Sequence, residues 1–117
     1  MKDVICNLID NAPEIDNPIV THLKSQAPEN ATRRFLECQV VLKGGYATAG
    51  VLTYALHGIG EGLMLQLVAI AQTPDKKIML AEHFFSSDEV ATIVVGKPMP
   101  EQLIKPIRNG GPIILGH

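Results

Sequence analysis

Tryptophan is absent and aromatic residues make up only 4% of the chain, so aliphatic side chains must fill any core. Two cysteines, Cys6 and Cys38, lie far apart and in no metal or redox spacing, which argues against a disulfide framework and points to a reduced, cytoplasmic setting. No H-x3-H, C-x2-C or H-E-x2-H pattern occurs, so a metal centre is not expected. No long uninterrupted apolar run exists either. The most apolar region, residues 47–71, is broken by His57, Glu61 and several glycines, and the N-terminal MKDVICNLIDN carries acids within its short apolar run. Neither a membrane span nor a signal peptide is expected. A net charge of −2 gives no general attraction to nucleic acid, so such binding would need a local basic patch.

What is present suits one domain with one core: 117 residues, 46% hydrophobic and 19% charged. Residues 34–56 organise it. Leu36, Cys38, Val40 and Leu42 alternate with Glu37, Gln39, Val41 and Lys43, the period of a strand with one face buried. Gly44-Gly45 offers the positive-φ backbone of a tight turn, and a second β-rich segment follows, so a hairpin is expected.

Upstream, Val4, Ile5, Leu8 and Ile9 share one helical face over residues 3–10. Asn17-Pro18 then reads as a cap and first turn of a second short helix, with Ile19, Val20 and Leu23 as its apolar side. Downstream, residues 63–72, 78–85 and 90–95 read as three more strands, separated by TPDKK and SSDE turns. The strand at 63–72 is apolar on both faces, with Leu63, Leu65 and Leu67 on one and Met64, Val68 and Ile70 on the other. A small single sheet rarely covers both, so a curled barrel or a neighbouring subunit is expected to pack there. Four prolines after residue 96 exclude a central strand and suggest an extended arm docked through Ile113, Ile114 and Leu115.

The expected architecture is mainly β. A helical N-terminal arm (1–30) precedes a strongly bent five-stranded antiparallel barrel (31–96), and a Pro/Gly-rich C-terminal arm (97–117) follows. Leu36, Cys38, Val40, Leu42, Leu52, Leu65 and Ile93 are the expected core.

This order, together with Val40-Val41-Leu42-Lys43-Gly44 and Gly50-Val51-Leu52, resembles the Sm/LSm family of small β-barrels over residues 18–95. The glycine inside the second strand allows the sharp bend that such a barrel needs. The resemblance implies a homo-oligomeric ring of five to seven subunits, closed by strand four of one copy pairing with strand five of the next, with single-stranded RNA as its ligand. The family's RNA-pocket residues are missing, however. Leu56 stands at the aspartate position, Gly60 near the asparagine, and no Arg-Gly pair follows strand four.

Candidate nucleic-acid contacts are therefore chosen from the residues themselves. His57 lies in the loop HGIGEG near Tyr54, where an imidazole could stack on a base or donate to a phosphate. Arg33 and Arg34, with Lys24 and Lys43, form the one basic concentration near the barrel; the plain alternative is a solvated junction. Ser86 and Ser87 lie near His83 and Asp88, but without a nucleophile elbow they do not make an enzyme. No catalyst and no cofactor are expected. Two functions stay open: a ring-forming, weakly RNA-binding module, or an RNA-blind oligomeric scaffold that holds a protein or small ligand through its loops or helical face.

Overall fold

The computed structural model describes residues 2–14, 17–30, 32–55, 63–72, 74–75, 77–96 and 113–116. Two helices, α1 (Lys2–Asp10) and α2 (Pro18–Gln26), precede strands β1 (Leu36–Leu42), β2 (Ala47–Tyr54), β3 (Met64–Gln72), β4 (Ile78–Ser86) and β5 (Val90–Val95). A short strand β6 (Ile113–Gly116) follows. The sheet order is β5-β1-β2-β3-β4-β6, antiparallel throughout except for β6, which runs parallel to β4. Among the described residues no helix is long and apolar enough to cross a membrane.

The bend of this sheet follows from its connectivity. β4 and β5 sit four strand spacings apart in the order, roughly 19 Å in a flat sheet. The link between them is a single 3-10 turn, Ser87–Glu89. At ~2 Å per residue that turn advances only about 8 Å. The sheet must therefore curl until its two sides approach. The seam shows it: the Tyr46 ring, in the turn between β1 and β2, lies 6.0 Å from that of His83 on β4. The expected barrel is corrected in one respect. Among the described residues β4 and β5 do not pair, so the sheet is a strong open curl.

The turns match their residues. Gly45 at the hairpin has φ +89, the left-handed conformation that glycine adopts without strain. Ser86 and Glu89 form a capping box around the 3-10 turn: the Ser86 hydroxyl accepts from the Asp88 amide, and the Glu89 carboxylate accepts from the Ser86 amide. Asn17 is the N-cap of α2, its Oδ1 accepting from the Ile19 amide at 2.8 Å. Its Nδ2 donates to Glu37 on β1 at 2.5 Å, so one buried amide both starts the helix and fastens it to the sheet.

Two aliphatic clusters lie on opposite faces. Inside the curl, Leu36, Cys38, Val40, Leu52, Leu65 and Leu67 pack with Phe85 and Val90, and α1 closes the cluster with Ile5 and Ile9. Leu42 and Ile93 flank it, half-buried. On the outer face α2 lays Ile19, Val20 and Leu23 over Phe35, Val51, Val68 and Leu80. The second apolar face of β3 is thus covered by this chain's own helix. Each fully buried aliphatic side chain contributes about 1.5–3 kcal/mol, so three from α2 are enough to hold a helix too short to persist alone.

Gly50 on β2 lies tight against the β3 backbone at Val68. A methyl group there would collide with the Val68 carbonyl, whose carbon would be 2.8 Å away. Gly50→Ala should therefore cost roughly 1–3 kcal/mol in urea unfolding, as overpacking does; an unchanged midpoint would refute the close approach. Burial also raises the Cys38 thiol from 9.0 to about 12. The unfolded thiol ionises first, so this contribution to stability is intact below pH 9 and is lost as pH rises towards 12. Tyr54 shifts in the same direction. Unfolding free energy measured across that window should fall less steeply in Cys38→Val than in the parent.

Candidate functional site

Three of the four candidate contacts meet at one place, where α1, the segment after α2, and the end of β2 converge. Residues 27–35 explain the convergence. Pro28–Asn30 is a 3-10 turn, and the buried Asn30 side chain donates to the Leu23 carbonyl at 2.7 Å, satisfying the end of α2. The chain then passes Arg33 and Arg34 before entering β1.

Arg33 is half-buried and points into the fold. Its Nη1 donates to Asn30 Oδ1 at 2.9 Å, and its Nη2 donates to the Tyr54 carbonyl and to Gln66 Oε1 at 3.2 Å. The guanidinium carbon sits 5.6 Å from the centre of the Phe35 ring, within cation–π range. Burial lowers the pKa of this guanidinium, and Glu29 opposes the shift; an arginine stays charged all the same. Gln66, itself buried, passes the network on to Glu82 at 3.4 Å.

Arg34 reaches the other way. Its Nη1 donates to the Ala12 carbonyl at 2.9 Å, just beyond α1, while its own carbonyl accepts from the Thr53 hydroxyl at 2.7 Å. The remaining Arg34 donors have no partner among the described residues, and the residue is exposed. Tyr54 completes the junction. Its hydroxyl lies 2.8 Å from Asp10 Oδ1 and 3.3 Å from the Cys6 carbonyl. One phenolic proton serves both acceptors, and burial together with these bonds raises its pKa. His57 lies outside the described residues.

Arg33 and Tyr54 therefore have polar groups committed within the chain, and Arg34 keeps part of its guanidinium for solvent. Two clefts flank the segment. One, of about 360 Å³, is lined by Asp10, Arg33, Arg34, Thr53 and Tyr54. The other, of about 420 Å³, is lined by Glu14, Thr21, Lys24, Thr32 and Arg34 among others. The second joins three cations, Lys24, Arg34 and the inward-turned Arg33, and two hydroxyls to one carboxylate, which gives it a weak preference for an anion. Lys24 was legible as part of a basic concentration in the sequence. Its place beside Arg34 depends on the packing of α2.

The serine-rich turn is occupied structurally, since the Ser86 hydroxyl is held in the capping box. Among the described residues, no three of His, Cys, Asp and Glu lie close enough to hold a metal ion. Ser87 has a buried hydroxyl with no partner among the described residues, and its amide donates to the Leu63 carbonyl at 2.8 Å.

The sheet edges carry a second feature. β5 pairs only with β1 among the described residues, and Val94 and Val95 on it are 55% and 53% exposed. Phe84 on β4 is 56% exposed. A sheet border with open backbone groups and exposed aliphatic side chains is a template for another strand.

No family model, curated protein or solved structure matches this chain.

The two arginines can be separated by experiment. Arg33→Met leaves the Tyr54 carbonyl and two buried amide oxygens without their donor and should cost about 1–3 kcal/mol in thermal or urea unfolding. Arg34→Ala, which gives up one bond at an exposed position, should cost no more than about 1 kcal/mol. Equal losses would contradict the inward placement of Arg33.

Proposed function

We propose that this protein is an oligomeric scaffold of Sm-like type, a closed ring of five to seven copies assembled through its sheet edges. The observation that carries the reading is β5, a border strand paired on one side only among the described residues and with Val94 and Val95 exposed. Isolated border strands invite uncontrolled pairing, and cyclic closure uses up every edge. β5 of one copy would add to β4 of the next. Of the reasons for assembly visible in the sequence, the apolar outer face of β3 no longer argues for a partner, because α2 lies on it. The edges remain.

A second reading has its own observation. The cleft holding Lys24, Arg34, Thr21 and Thr32 could take phosphates of single-stranded RNA, and a ring would repeat it around an axis. The RNA-blind scaffold is preferred, because Arg33 and Tyr54 spend their polar groups inside the fold and the chain is net acidic.

Light scattering across a micromolar range should give a mass several times the 12.7 kDa of one chain. Val94→Lys/Val95→Lys, two changes at exposed positions, should return it to one chain without loss of helix or strand signal. A parent chain that stays monomeric at every concentration removes the ring. Titration with a short uridine-rich RNA at low salt should show no binding. Binding that weakens with salt and is lost in Lys24→Ala/Arg34→Ala would favour the second reading instead.

A further inference from the structure

β4 has nine residues and β6 has four. Their pairing runs from Ile78 opposite Ile113 to Ala81 opposite Gly116. Nine less four leaves residues 82–86 of β4 with no strand on that side among the described residues. The exposed Phe84 lies in this uncovered half. One stretch of the sheet border is thus covered by the chain's own C-terminal strand, and the stretch beside it is open.

We infer that β6 is a displaceable cover on an acceptor edge, and that the partner this edge fits is β5 of a second copy. The inference rests on the assembly reading above and adds how assembly is restrained. β5 is six residues long, one more than the open stretch of β4 can pair. A second copy can begin on residues 82–86, beside Phe84, but cannot form its full ladder while residues 113–116 stay in place. The open half is a foothold, and the covered half is the part that must be given up.

The exchange runs in the favourable direction. A four-residue parallel ladder gives way to a longer antiparallel one, and parallel pairing is the weaker of the two per residue. Exposed apolar groups on both sides, Phe84 on β4 and Val94 and Val95 on β5, would leave water together. Seventeen residues, 96–112, separate β5 from β6 in the sequence, and four of them are proline. Release of β6 therefore does not require that either β4 or β5 unfold. At low concentration the cover favours single copies; at high concentration a neighbour replaces it.

The test keeps the full chain and changes β6 alone. In a parallel ladder one of any two successive residues directs its amide to the neighbouring strand, so Ile114→Pro/Leu115→Pro must remove at least one bond to β4. Hydrogen exchange is read first, at a concentration where the parent is monomeric. The amides of residues 78–81 that face β6 should exchange about tenfold faster or more, with β1–β3 unchanged. Sedimentation or light scattering is read next. The variant should assemble at concentrations about tenfold lower than the parent. Unchanged exchange in residues 78–81 overturns β6 as the cover. Faster exchange without stronger assembly overturns the second copy as the occupant. Val94→Lys/Val95→Lys, added to the same variant, should abolish the gained assembly while leaving the fast exchange. Assembly that persists would overturn β5 as the incoming strand, and with it the assembly reading, whereas the exchange result stands or falls on β6 alone.

Discussion

Consecutive strands β4 and β5 stand at opposite sides of the five-stranded antiparallel order, yet only Ser87–Glu89 join them. That short link is the constraint on which the rest depends. A flat sheet cannot satisfy it, so the sheet curls and encloses an aliphatic interior. Leu52, Leu65 and Leu67 from the middle strands can then meet Phe85 and Val90 from the two sides of the seam. The capping box of Ser86 and Glu89 holds the link in shape, and the Lys43 amide, donating to the Glu89 carbonyl, carries the β1–β5 ladder up to it. Gly50 serves the same curl by letting β2 and β3 approach where any side chain would collide.

Curling hides one face of the sheet and leaves the other convex. Both central strands are apolar on that outer side as well, through Val51 on β2 and Val68 on β3. The helices divide the work: α1 seals the interior, and α2 roofs the convex face. Neither helix could be stable alone at nine residues, and each is fixed by a polar fastening at its end. Asn17 binds Glu37 for α2, while Tyr54 and Arg34 bind Asp10 and Ala12 at the end of α1. The basic and aromatic residues that suggested a nucleic-acid contact thus belong largely to these fastenings. Their chemistry is the same in both roles. A guanidinium fork that suits phosphate oxygens suits backbone carbonyls equally well.

After the interior, the roof and the fastenings are formed, the sheet borders are what the described fold leaves over. Among the described residues, β5 has no strand on its outer side, and β4 is covered only over residues 78–81. The proposed assembly therefore rests on backbone edges more than on any cluster of side chains.

Local chemistry determined the elements. Strict alternation in Leu36–Leu42, the Gly45 turn, the Asn17-Pro18 helix start and the SSDE turn were readable because each depends on residues within one turn or strand of each other. So was the mainly β, strongly bent character of residues 34–95, since five short strands with tight links admit few arrangements. The tertiary structure alone decided which partner covers each face. A two-faced apolar β3 is equally compatible with a neighbouring subunit and with α2, because burial is not directional. It also decided that Arg33 turns inward to the Tyr54 carbonyl while Arg34, one residue on, keeps donors in solvent. Adjacent arginines are identical in the sequence. Only the position of carbonyls brought from β2 and from the end of α1, some twenty residues away in either direction, distinguishes them.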